Sequence, residues 1–482
     1  MTTPSVRTAV LPAAGRGVRA YPKTQFIPKV MLEVAGKPLV QRNLEMLRDQ
    51  LGIRDFVVIV GHLAEQITAL LGDGSKFGVA VRYVTCPDPS VGLARGLHLT
   101  KPLVDGPFIV VLADELYLGS NHAELLAPAD PWEAAIALLE TDDLRAIRKN
   151  YAVVVADGRV QTVEEKPEHL PNRLLGCGTY LFRPSIFDAI ERTAPSKKSG
   201  RVELTDALQT LIRDGKAVRP FFLRGRYFNI NSVEDQNSAN YQVRSDEFPR
   251  YRTSVVIPAW NEAGSIGTVI ADFAPHVSEI VVADNCSTDG TAKIAADLGA
   301  RVSSKPLRGY GDALRHGMEQ ATGDIIVLVE ADHSFRAKDL GKLLEYMKDA
   351  DMVIGTRTTR QMIEQGTNMR GPVRWANVAV GKLIEMLWWS QEPRFTDVGC
   401  TYRAIWSDVY RRIRDGLTGI GPEFSPELMI EVLRQHRRVI EIPVSYFPRF
   451  AGESKHSASF RHLARTAIKM LRLVMRKRFL GR

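Results

Sequence analysis

The chain has 482 residues, 45% apolar and 25% charged. That is ordinary globular composition, and it is more chain than one hydrophobic core usually serves, so two domains are expected. A formal net charge of +9 suits an anionic partner such as a nucleotide, a phospholipid headgroup or nucleic acid, and with no DNA- or RNA-binding motif beside it nucleic acid drops out.

In chain order, residues 8–12 read as a buried strand, and a Gly-rich turn follows. Leu39, Leu44 and Leu47 have helical spacing. A strand is expected at 56–60 and a helix at 64–71. Apolar runs at 108–112, 134–139 and 180–182 suit a sheet covered on both faces. The pattern breaks at Arg244–Arg250, a polar stretch containing Pro249, and then restarts with strands at 253–257, 279–283 and 325–329 and helices near 265–273 and 289–298. This alternation predicts an α/β protein with two Rossmann-like domains in tandem, at 1–245 and 253–458, joined by a linker at 246–252. The tail, 459–482, is predicted as a basic amphipathic helix. Arg461, Arg465, Lys469, Arg472 and Arg476 share one face, and Leu463, Ala467, Leu471 and Val474 form a stripe beside them. Such a helix either lies on anionic lipid or docks on its own domain. No stretch reaches the roughly 18 apolar residues of a membrane span, and no signal-peptide region precedes the first strand. A cytoplasmic protein is expected, peripheral at most on the cytoplasmic face of the membrane. Cys86, Cys177, Cys286 and Cys400 form no CxxC pair and read as buried thiols.

The first half carries Ala9-Val10-Leu11-Pro12-Ala13-Ala14-Gly15-Arg16-Gly17-Val18-Arg19, then Pro28-Lys29 and Gly36-Lys37-Pro38. Gly15 and Gly17 let backbone turn sharply and approach a phosphate. Val91–Ala94, Leu112–Glu115, Val163–Pro167, Gly178–Tyr180 and Glu203–Asp206 follow in order. Together these resemble the sugar-1-phosphate nucleotidyltransferases. The resemblance implies that Ala13, Gly15, Gly17 and Gly92 contact the nucleotide. Arg19 would hold the triphosphate and the departing pyrophosphate, with Lys29 near the α-phosphate. Glu165, Lys166 and Gly178 would receive the sugar phosphate, and Asp114 would hold Mg²⁺, a hard ion that prefers carboxylate oxygen. One departure stands out: Asn229 occupies the place of a second metal-binding aspartate, and an amide oxygen ligates more weakly.

The second half carries Ser254–Glu262 and Val281–Thr291, each a strand with polar groups at its end. They look like the inverting family 2 glycosyltransferases of GT-A fold, which implies nucleotide contacts from Pro258, Glu262 and Asp284. Glu330-Ala331-Asp332 stands where that family has Asp-x-Asp, so Glu330 and Asp332 would hold Mg²⁺ or Mn²⁺. Gly355-Thr356-Arg357, Phe395–Arg403, Glu441–Val444 and Arg449 followed by Gly452–Lys455 resemble the polyprenyl-phosphate glycosyltransferases. An anionic acceptor needs cations to position it, and Arg357, Arg403, Arg449 and Lys455 would supply them. A hydroxyl acceptor would need a base, and Asp397 is the candidate. Trp388-Trp389 forms part of an apolar patch that suits either a membrane interface or the core.

The expectation is a bifunctional enzyme that makes a nucleotide sugar from a nucleoside triphosphate and a sugar 1-phosphate, then transfers the sugar to a polyprenyl phosphate. Two alternatives stay open. One is a cytidylyltransferase of an alcohol or polyol phosphate, fused to a glycosyltransferase using a hydroxyl acceptor. The other is a second domain that binds lipid without catalysis. Assembly into a homo-oligomer is also left open.

Overall fold

The computed structural model describes residues 6–127, 132–364, 372–449 and 460–480, with backbone alone at 89, 372, 373 and 460–464. The chain divides into two compact units, 1–239 and 240–482.

The first unit is built on a nine-stranded sheet. Its central strand, Thr8–Pro12, pairs in parallel with Asp55–Val60 on one side and Phe108–Val111 on the other. Successive residues sort to opposite faces: Ala9, Leu11, Phe56 and Val58 join one core cluster, and Val10, Val57 and Ile59 join the other. A sheet buried on both faces explains why these strands read as unbroken apolar runs. Helix Ala64–Leu71 forms where its spacing predicts it. Helix Leu39–Leu51 stops at Gly52, whose φ of 70° reverses the chain at little steric cost. The strand expected at 180–182 extends over Leu174–Phe182, antiparallel to Phe108–Val111. Two glycines in it are spatial requirements: a Cβ at Gly176 would lie 1.9 Å from the Tyr151 ring, and one at Gly178 2.5 Å from Leu112.

The second unit carries a seven-stranded sheet. Strand Thr253–Ala259 runs parallel between Glu279–Asp284 and Ile325–Leu328. Successive connections therefore leave to opposite sides, and the crevice at such a switch point is where α/β sheets bind ligands. Arg403–Trp406 then pairs antiparallel with Ile325–Leu328.

Helix Val233–Glu247 crosses the boundary between the units, and a 3₁₀ turn at Phe248–Arg250 follows it, so the 246–252 stretch is ordered secondary structure along much of its length. Within the second unit Arg244 is buried, bonded to Asp351 at 2.9 Å and set over the Trp406 ring. The tail forms helix Phe460–Phe479, packed on helices Pro372–Leu387 and Phe424–Arg434. Its buried stripe differs from the predicted one. Met470, Leu473, Val474 and Lys477 face inward, whereas Leu471 is exposed. The stripe turned because Lys477 is drawn in by two carboxylates, Glu427 and Glu431. The side chains of Arg461 and Leu463 lie outside the described residues. Trp388 is core and Trp389 is 73% exposed, so the paired indoles divide between the two readings. Among the described residues no helix is long and apolar enough to cross a membrane.

Candidate active sites

In the first unit the loop after Thr8–Pro12 is pinned by Ala13 N–H donating to the Ile59 carbonyl. Gly17 takes φ +62°, and a Cβ there would sit 2.9 Å from Lys29 Cβ, so a side chain would force the loop off the lysine. A cleft of about 260 Å³ brings together Ala13, Gly15, Lys29, Gly92 and Asp114. Gly17 and Arg19 do not line it. Arg19 joins the site through Asn231, a residue to which the sequence assigned no role. The Asn231 amide oxygen accepts from Arg19 at 2.7 Å and from Lys29 at 2.9 Å, and its amide nitrogen donates to Asn229 at 2.7 Å. Lys29 also pairs with Asp114 at 2.5 Å, and that carboxylate stays 29% exposed. Strand pairing of Arg226–Asn229 against Glu115–Leu118 sets Asn229 opposite Glu115, one residue from Asp114. Asp114 lines the cleft, whereas Asn229 lies outside its lining, accepting from Asn231 and donating to Asn150 at 2.8 Å. The hard donors here are therefore one carboxylate at the cleft and an amide oxygen on the neighbouring strand. Such a set suits a hard divalent cation whose other positions are filled by phosphate and water.

A second cavity, about 120 Å³, shares Leu93 and Leu112 with that cleft and is lined by Glu115, Asn150, Tyr151, Glu165, Gly178 and Thr205 among others. Burial, with the Glu203 charge behind it, lifts the Glu165 carboxyl to about 7. Glu115 is buried and accepts from Tyr117, from Tyr227 at 2.6 Å and from Gly178 N–H at 2.8 Å. Two predicted ligands change role. Gly178 shapes the wall, because its amide is committed to Glu115. Lys166 does not line this cavity: its side chain is largely exposed, 3.9 Å from Glu165, on backbone with φ +46°. A non-glycine residue held there is a strain that surrounding structure must impose.

In the second unit the loops after the first two strands lace together. Asn261 N–H donates to Ser287, and Glu262 N–H to Thr291. A cleft of about 360 Å³ opens there, lined by Pro258, Trp260, Glu262, Glu330, Asp332 and Arg449 among others. Asp284 is absent from the lining. It is 1% exposed and accepts from Ser287 N–H and from the Ser304 hydroxyl at 2.7 Å, so its neighbour Asn285 faces the cleft instead. Asp332 Oδ1 accepts from Ser334 N–H, while Oδ2 is buried without a hydrogen-bond donor, and Arg449 Nε lies 3.1 Å from it. Burial beside the Asp332 charge holds Glu330 above the ordinary carboxylate range. A buried carboxylate oxygen whose one near partner is the Arg449 guanidinium, with no hydrogen bond made, stands next to a second carboxylate, and that donor set fits a divalent cation.

Three predicted residues are corrected by their partners. Arg357 and Asp397 form a bidentate pair, at 2.8 and 2.9 Å, and Asp397 also accepts from the Arg357 and Gly399 amides. Asp397 is fully buried, both its oxygens accept from Arg357, and neither residue of the pair lines the cleft, so as placed here neither is presented to an acceptor. Arg403 is 1% exposed and donates to the carbonyls of Cys400, Val398 and Ser425. It holds the fold together. Arg449 alone among the described candidates lines the cleft, and Lys455 lies outside the described residues. The sequence also gave no sign of a brace behind the cleft. Glu427 accepts from Thr418 and Gly419 amides, and that loop presses on Gly309 and Gly311, where a Cβ would meet carbonyl oxygens at 2.5–2.6 Å. Lys477 of the tail helix closes the brace by pairing with Glu427 at 2.9 Å.

Two α/β units, each with cations and carboxylates at the C-terminal strand ends, define an enzyme of nucleotide and phosphate chemistry. The sequence pattern of the Nucleotidyl transferase family matches residues 8–273, and that of Glycosyl transferase family 2 matches residues 254–408. The chain belongs to the nucleotidyl transferase family, and a family 2 glycosyltransferase domain follows in the same polypeptide. Its first half is 35% identical over 250 residues to the low-salt glycan biosynthesis nucleotidyltransferase Agl11 of Haloferax volcanii, covering 51% of this chain and 68% of that one. It is 32% identical over 240 residues to the UTP–glucose-1-phosphate uridylyltransferase AglF of the same organism, covering 49% and 97%. A glucose-1-phosphate thymidylyltransferase of Streptomyces griseus is 33% identical over 245 residues, covering 50% and 67%. The chain is thus a sugar-1-phosphate nucleotidyltransferase fused to a family 2 glycosyltransferase domain.

Proposed function

We propose that the two sites work in series: the first unit makes a nucleotide sugar, and the second transfers that sugar, with inversion, to a polyprenyl phosphate at the cytoplasmic face of a membrane. In the first step an oxygen of the sugar phosphate attacks the α-phosphorus of the triphosphate, and pyrophosphate leaves. Both reactants are anions, so charge neutralisation and alignment carry the rate. Lys29 and Arg19 rest on a neutral amide and a half-open carboxylate, partners that a triphosphate can displace. Glu165 at the second cavity orients a sugar hydroxyl. Mg²⁺, held by Asp114 and Asn229, would neutralise the phosphates. In the second unit Glu330 and Asp332 would hold Mg²⁺ or Mn²⁺, which would supply positive charge for the departing nucleoside diphosphate. The thymidylyl- and uridylyltransferase relatives favour a pyrimidine triphosphate.

The observation that carries the acceptor reading is the locking of Asp397 by Arg357. A hydroxyl acceptor needs a base to take its proton, whereas a phosphate acceptor arrives already ionised. The test is to offer the whole protein each nucleoside triphosphate with a panel of sugar 1-phosphates, follow pyrophosphate, then add polyprenyl phosphate or a saccharide hydroxyl acceptor. Labelled polyprenyl phosphate supports the reading. Transfer to the hydroxyl acceptor alone, or CTP use with a polyol phosphate alone, overturns it.

A further inference from the structure

We propose that the second unit docks on anionic lipid through one face, formed by the outer sides of helices Pro372–Leu387 and Phe460–Phe479, which pack against each other. On the first helix Trp375, Ala379, Lys382 and Met386 are exposed at steps of four, three and four, and Trp389 in the next turn extends the row. Trp375 is 71% exposed, on a par with Trp389. Indoles are usually among the more buried side chains, and two of them laid open along one row need a reason. On the tail helix Ile468, Leu471, Met475 and Phe479 are exposed, whereas Met470, Leu473 and Val474 face the unit's own core. At about 100° per residue the outer apolar stripe lies opposite the buried one. Arg465, Lys469 and Arg472 run along one side of that outer stripe; Arg476, next in the row, donates to the Thr418 hydroxyl at 2.7 Å, and Arg478, on the other side, lies over the Trp388 ring. Residues 460–480 include no aspartate or glutamate.

This is the build of a helix lying in a bilayer interface: an apolar stripe for the acyl boundary, flanked by cations for anionic headgroups, with indoles at headgroup depth. A second copy of the chain is the poorer occupant. Protein interfaces deplete charge at their core, and a symmetric contact would set these cation rows against each other. Docking on lipid extends the acceptor reading without resting on it, since a bilayer-bound enzyme that used a soluble acceptor would keep this face.

The test is co-flotation of the full chain with phosphatidylcholine vesicles, with and without phosphatidylglycerol. The wild type is expected to float with the anionic vesicles and to be released by salt. Trp375→Ser with Trp389→Ser should abolish flotation. Arg465→Glu, Lys469→Glu and Arg472→Glu together should weaken it on the order of 100-fold, each basic residue at an anionic surface being worth about a factor of five. Arg465→Lys with Arg472→Lys should preserve it. Pyrophosphate release by the first unit should be unchanged in all three variants, and an unchanged thermal midpoint would show that they fold. Equal flotation with both vesicle types, no flotation of the wild type, or tryptophan variants that float normally would overturn the proposal. So would tryptophan variants that change only the mass of the protein in solution. Flotation without transfer to polyprenyl phosphate would uphold the face and sink the acceptor reading.

Discussion

The two units use their cations in opposite ways. In the first, Lys29 and Arg19 share a neutral amide oxygen, and the one carboxylate partner is partly open to solvent. In the second, Arg357 and Arg403 are sealed among a buried carboxylate and backbone carbonyls. A cation whose partners are few and accessible can exchange them for a phosphate. One that is enclosed and saturated holds the fold, whatever motif surrounds it.

Breaking that contrast should give its largest effect in the second unit. Arg357→Ala leaves Asp397 buried and unpaired, and denaturant titration is expected to show a loss of about 3–5 kcal/mol. The same change at Arg19 should cost little stability. Activity should show the reverse: Lys29→Met is expected to slow pyrophosphate release about 100- to 1,000-fold with the fold intact, as loss of one transition-state donor does. Stability loss at Lys29, or near-normal folding of the Arg357 variant, would break the distinction.

Lys477→Met sharpens the comparison, because it removes a wholly buried ammonium from Glu427 and Glu431. Stability should fall by a few kcal/mol, and the nucleotide-sugar KM of the second site should rise while the first site is unaffected. A smaller effect concerns Glu165. Burial raises this carboxyl from its ordinary 4.5 to about 7, so between those values the folded protein keeps a proton that the unfolded chain has released. Stability is therefore lost as pH rises through that window. Glu165→Gln should stabilise the protein by on the order of 2 kcal/mol above pH ~8 and by almost nothing below pH ~4.

Much of the fold is legible in the sequence because strands buried on both faces are written as apolar runs. Asp55–Val60 and Ala64–Leu71 fall within a residue of their expected bounds. The polar sites are less legible, because spacing reports order along the chain and not what covers a side chain. Asp397 and Arg403 sit in a motif suited to ligand binding, yet Phe395, Val398, Cys400 and Tyr402 around them are all fully buried. That apolar surrounding is the burial signal the motif obscured. Asn231 acquires its place only when the chain returns 202 residues after Lys29. The Glu427–Lys477 brace likewise joins segments that no local pattern links. Asp284, at a strand end, was read as facing ligand. Its own loop folded back and took its lone pairs, leaving Asn285 at the cleft.

The central claim is that the product of one site is the substrate of the other, and label transfer tests it most directly. Sugar-labelled sugar 1-phosphate is supplied with triphosphate and polyprenyl phosphate, and lipid-borne label is counted for two variants. With Lys29→Met, label should reach lipid only when preformed nucleotide sugar replaces the sugar 1-phosphate. With Asp332→Asn, pyrophosphate should still appear while lipid stays unlabelled from either source. Lipid labelled from sugar 1-phosphate by the Lys29 variant, or at wild-type rate by the Asp332 variant, would contradict the account.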